Sequence, residues 1–145
     1  NRISLYWFFF TIGRIVFGFI VPYFKAATLM RLCMIGTIIG AALLAVPPSD
    51  PTNTLGVIGL VIGAFSMSPL FALLVTATQD KLGPAHAPNA ISFQVAAASA
   101  GIGILPALTG LIAEQTPSAV PIVWIVLGVI LLGLFEVSQR VNVKA

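Results

Sequence analysis

Charge is what this 145-residue chain has least of. Only 8% of its residues are Asp, Glu, Lys or Arg, against roughly 25% in an ordinary soluble domain. Seven basic and four acidic side chains cannot clothe a water-facing surface at this length, so a soluble globular domain is excluded. Cysteine is almost absent. The single Cys33 rules out a disulfide framework within the chain, and its apolar surroundings point to packing rather than redox chemistry. No acid stands in the middle of an apolar run: Asp50, Asp80, Glu114 and Glu136 all fall near run ends or in polar stretches, so no buried proton relay is visible. His86 has no Cys, His or carboxylate at ligand spacing, which argues against a metal site. Nucleophile elbow, Walker loop, zincin motif and paired acid dyad are all lacking, so enzymatic chemistry has no support and no cofactor is expected. The start of the chain lacks a secretory signal pattern. It opens almost inside an apolar run, at Asn1-Arg2-Ile3 without an initiator Met, and is expected to be a piece of a longer protein.

Apolar residues are abundant, at 59%. About 20 consecutive apolar residues carry a helix across a bilayer, and the continuous runs here lack the alternation of a β-barrel. The expected fold is an all-α, polytopic transmembrane bundle forming one unit, with spans at about 3–24, 29–46, 55–77, 88–113 and 119–138. Between the second and third, Pro47, Pro48 and Pro51 exclude helix. A second loop is expected over 78–87, where Gly83 and Pro84 stand among polar residues, and a short one over 114–118.

Five spans put the two ends on opposite sides. Lys25, Arg31, Lys81, Arg140 and Lys144 then share one side, with only Arg2 on the other beside Asp50 and Glu114. The positive-inside bias predicts a cytosolic C-terminus in an integral membrane protein, the plasma membrane being favoured over an organelle. The net charge of +3 is scattered at helix ends rather than gathered, so no nucleic-acid partner is expected. Trp7 and Tyr23 sit near the two ends of the first span, as interfacial aromatics do.

Arg14 is the exception to this charge pattern. It lies about mid-depth in the first span, where a central Arg costs roughly 2.5–3.5 kcal/mol to insert. Tyr6, Phe10, Arg14 and Gly18 recur at four-residue spacing and share a helix face. A face joining aromatic surface to a cation suits an anionic or hydroxyl-rich solute; a structural Arg bonded to neighbouring carbonyls is the other reading. In the third span Ser66-Met67-Ser68-Pro69 places a proline kink and two hydroxyls near mid-depth, shaping either a site or only the packing. In the fourth, small residues from Ala96 to Gly103 predict close helix approach, and Pro106 is expected to interrupt the helix ahead of Gly110. Gln94 is a candidate for a hydrogen bond to solute or to another helix.

Three stretches resemble the C-terminal half of a major facilitator superfamily transporter. Gly13-Arg14, with Gly18, Pro22 and Lys25 after it, is similar to a shortened copy of the family's G-x-x-x-D-R-x-G-R-R signature. Pro22 stands in place of the Asp and most basic residues are missing, so the resemblance does not carry the motif's gating salt bridge to this position. Gly63-Ala64-Phe65-Ser66-Met67-Ser68-Pro69-Leu70-Phe71 is similar to the fourth helix of that half in fucose-permease-like members of fungi, and Gly101, Gly103, Pro106 and Gly110 to a Gly/Pro-rich fifth helix. The resemblance covers most of the chain, as helices eight to twelve of twelve. It implies secondary-active transport of a small, sugar-like or anionic solute by alternating access, with an N-terminal half as partner. It further implies that the first, third and fourth spans line the cavity while the second and fifth are peripheral. On this reading Arg14, Gln94, Phe10 and Ser66 bind solute, and Gly18, Pro22, Pro69, Gly101, Gly103 and Pro106 shape or gate the helices. The rival expectation from another class is a non-transporting membrane scaffold or assembly subunit.

Overall fold

The computed structural model describes residues 1–47 and 53–140. Within them the chain forms helices α1 (Arg2–Ile20), α2 (Ala26–Ala45), α3 (Thr54–Met67), α4 (Leu70–Gln115) and α5 (Val120–Arg140), with 3-10 turns at Val21–Tyr23 and Pro117–Ala119. Local chemistry sets the ends. The Asn1 side chain accepts from the Ile3 N–H at 3.3 Å and caps α1. Pro22 sits in the first 3-10 turn, where its missing N–H costs nothing. Val46 is extended ahead of Pro47, as a residue before proline prefers, and ends α2. Asn53 takes the left-handed conformation, φ 49°, that Asn tolerates, and its side chain accepts from the Gly56 N–H to start α3.

Among the described residues four helical stretches are long and apolar enough to cross a membrane: Arg2–Tyr23, Ala26–Ala45, Thr54–Gln115 and Pro117–Arg140. The third holds 62 residues and contains both of the expected third and fourth spans. It is broken twice. At Ser68-Pro69 the proline lacks an N–H, α3 ends, and α4 restarts with the Leu73 N–H bonded to the Pro69 carbonyl at 2.9 Å. At Gly83 the backbone takes φ 68° and ψ 174°, a conformation essentially reserved for glycine. Gln94 Nε2 donates to Thr78 Oγ1 at 2.6 Å, although a straight helix would hold residues sixteen apart about 24 Å from one another. The chain therefore doubles back at Gly83.

Two sequence expectations change here. The loop expected over 78–87 shrinks to Gly83 alone. Its polar residues stay helical on both sides, and Pro84 opens the second limb in the first turn, where proline fits. Pro106 does not interrupt α4 either: the helix runs through it to Gln115. One proline removes one backbone bond, and the helix continues on the bonds that remain.

The helix at the centre is α2. It packs against α3, α5 and α4, and supplies Leu29, Met30, Cys33 and Met34 to the buried core, joined by Leu73 and Phe135. Cys33 is a packing residue in this core. The peripheral second span implied by the family resemblance is thus replaced, in this chain, by a central one. The reason is steric. Gly40 and Gly59 face each other with no side chain between: a Cβ on Gly40 would lie 2.7 Å from the Gly59 oxygen, and one on Gly59 2.6 Å from the Gly40 oxygen. Gly36-x-x-x-Gly40 on α2 and Gly59-x-x-x-Gly63 on α3 form the small-xxx-small seam that lets backbones touch. That close approach was expected of the small residues in α4. There, Gly103 and Gly110 have open space around them, and the outer limb turns Phe93 and Ile102 outward at 78% and 75% exposure. So much outward apolar surface requires lipid or other helices around it, which is compatible with an integral membrane protein.

Polar ties close the other end of the bundle. Arg31 of α2 makes a two-pronged ion pair with Glu136 of α5, its Nη2 donating to Oε2 at 3.0 Å, and its guanidinium lies 6.0 Å from the Phe135 ring centre. Lys81 Nζ donates to the Ser138 carbonyl at 2.8 Å, answering a carbonyl in the last turn of α5. Lys144 and Asp50, counted above for topology, lie outside the described residues.

Candidate functional site around Arg14

The site begins with glycine. Gly13 of α1 is buried against the break between α3 and α4, and a side chain there would collide with the Ser68 hydroxyl and come within 2.9 Å of the Phe65 carbonyl. Ser68 Oγ donates to that same carbonyl at 3.0 Å, using a backbone acceptor near the end of α3. Phe17 packs on Phe65 one turn further along α1, ring centres 5.2 Å apart. With α1 seated this way, the next residue, Arg14, projects beside the break.

Arg14, Phe17, Gly18, Ser68, Pro69 and Thr76 contribute to a cleft of about 380 Å³ between α1 and the start of α4. The guanidinium carbon of Arg14 stands 4.9 Å from the centre of the Phe10 ring. Phe10 stacks on Tyr6 at 5.9 Å and meets Trp7 edge-on at 5.8 Å. The four-residue spacing thus brings Phe10 and Arg14 into contact and puts Gly18 in the same cleft. Among the described residues Arg14 makes no hydrogen bond or ion pair. A cation whose five N–H donors are unspent, above an aromatic ring and across from a hydroxyl, can bind a carboxylate, a phosphate or the hydroxyls of a polyol.

The remaining sequence candidates lie elsewhere. Ser66 is buried against Gly36 of α2, facing away from the Arg14 cleft. Gln94 is committed to Thr78 across the Gly83 reversal, and its Oε1 is buried with no partner among the described residues. Pro22 sits in the turn after α1, while Gly101, Gly103 and Pro106 lie on the outer limb of α4, away from the cleft. Pro69 lines it. Of the two hydroxyls read at the proline break, Ser68 rather than Ser66 lines the cleft, and Thr76 went unread in the sequence. The signal was present: residues two apart on a helix point about 200° apart, so Ser66 and Ser68 cannot serve the same face. Among the described residues no three His, Cys, Asp or Glu side chains gather where they could hold a metal ion.

Compared with known proteins, the chain matches no family model, no curated protein and no solved structure.

Proposed function

We propose that this chain is part of a secondary-active membrane transporter that moves a small anionic or hydroxyl-rich solute, with Arg14 as the solute-binding cation. The carrying observation is the unspent Arg14 guanidinium, beyond the middle of an apolar helix, opening on a 380 Å³ cleft at a proline break. An intramembrane cation is expensive and is kept where it faces a cavity or a partner. Broken helices put backbone and hydroxyl groups at mid-depth only where they border such a cavity.

In this reading the bundle makes five crossings, α3 with the first limb of α4 forming the third and the second limb the fourth. The reversal at Gly83 supports that count. The basic residues Lys25, Arg31, Lys81 and Arg140 then face the cytosol, in the plasma membrane, and a major-facilitator-like N-terminal half completes the pathway. Arg14→Ala in the full-length protein is expected to abolish uptake from a panel of labelled hexoses and carboxylates at unchanged membrane expression. Unchanged uptake would return Arg14 to a structural role.

A further inference from the structure

A second cavity, of about 530 Å³, shares no residue with the Arg14 cleft. It lies between the first turns of α1 and α5, the second half of α2 and the stretch of α3 from Gly59 to its end at Met67. The glycine seam lines one side of it: Gly40 and Gly59 contribute backbone, and Gly63 has open space where a side chain would stand. Apolar side chains wall it, among them Ala41, Leu60, Ala64, Met67 and Pro121. On α3 the lining runs from Gly59 to Met67, about 12 Å of helix. The space is therefore compact, and it falls within the size range of small-molecule pockets.

Two aromatic residues with polar tips are among its lining, Tyr6 from α1 and Trp124 from α5. Neither the phenol O–H nor the indole N–H has a hydrogen-bond partner among the described residues. The Thr37 hydroxyl, also in the lining, donates to the Cys33 carbonyl at 2.9 Å and offers no free hydrogen. The unspent polar groups that can give a hydrogen are thus Tyr6 and Trp124, both donors to an oxygen acceptor.

We infer that this cavity binds a compact, largely apolar molecule bearing one hydrogen-bond acceptor, of the class of cyclic ketones and esters. Ring carbons fill the space beside Gly63, and the oxygen accepts from the Tyr6 hydroxyl. The inference does not rest on the transport reading of Arg14, and either can fail alone.

The chain carries its own reporter. The two tryptophans of these 145 residues are Trp7 and Trp124, so in this 145-residue chain Trp7→Phe leaves Trp124 as its one tryptophan. In detergent micelles, 3-bromocamphor is expected to quench the Trp124 emission saturably, and unbrominated camphor to restore it. 1-Bromoadamantane, equally compact but without an acceptor, is expected to bind about fivefold more weakly, the loss of one hydrogen bond. Tyr6→Phe should weaken bromocamphor and leave bromoadamantane unchanged. A Cβ at Gly63 meets no atom within 4 Å, so Gly63→Leu directs its side chain into open space and should abolish saturable quenching; Gly103→Leu, with an equally open Cβ on the outer limb, should preserve it. Quenching that rises linearly and ignores camphor overturns the inference without reference to any cavity variant. So does saturable quenching that survives in Gly63→Leu with its helix content intact.

Discussion

The Gln94 side chain donates to the Thr78 hydroxyl across a glycine reversal, so one hydrogen bond pins the two limbs of α4 together. Thr78 in turn donates to the Leu74 carbonyl at 2.8 Å, which makes the hydroxyl a relay between the limbs. Thr78→Val is therefore expected to destabilise the protein by roughly 0.6–2 kcal/mol, the range for hydrogen bonds between membrane helices and for orphaned polar groups. Gln94→Leu in the same background should recover part of that loss, since it removes the stranded amide. Thermal unfolding in detergent of both single variants and the double variant checks this coupling.

Gly83 makes the reversal possible. With φ at 68° and ψ at 174°, any side chain is strained there whatever the surrounding space. Gly83→Ala should cost about 1–3 kcal/mol. The control is Gly103→Ala, in helical backbone with open surroundings, which should be neutral or slightly stabilising. Equal melting temperatures for the two variants would contradict the hairpin.

Where Gly40 meets Gly59, the seam between α2 and α3 tolerates no side chain. Gly40→Val would press carbon into the backbone of Gly59 and Gly63, and overpacking of this kind costs about 1–3 kcal/mol. Separation of α2 from α3 should appear as lower monodispersity on size exclusion and a lower melting temperature.

Helical class, apolar surface and the break at Pro69 were legible in the sequence because each depends on composition or on one residue's covalent chemistry. The Tyr6, Phe10, Arg14, Gly18 stripe was legible because helical spacing alone defines it. Long-range facts were not. Arg31 and Glu136 are 105 residues apart, and nothing local pairs them. Small residues were read as a packing face on α4, whereas the seam formed on α2 and α3: a small-xxx-small stripe states that a helix can approach closely, not which partner arrives. The loop expected over 78–87 was over-read for a related reason. Gly, Pro and polar residues mark a turn somewhere, and only the fold shows that one glycine suffices.

Arg31 and Glu136 join α2 to α5, and removing either partner leaves a half-buried charge alone. Glu136→Gln should lower the melting temperature, and Arg31→Ala likewise. The exchanged pair Arg31→Glu with Glu136→Arg should be more stable than either reversal alone, as a double-mutant cycle in detergent can measure. Additive losses with no recovery would contradict a direct pair.

The central claim is a water-accessible cleft at Arg14 within an apolar bundle, and thiol labelling tests it most directly. Cys33 is 2% exposed and can remain in place. Arg14→Cys, Ser68→Cys and Ser66→Cys are each placed in the full-length protein in intact membranes and treated with a charged, water-soluble thiol reagent. The predicted result is labelling at 14 and 68 and protection at 66, which faces Gly36. Protection at all three positions would contradict the cleft, and with it the transport reading.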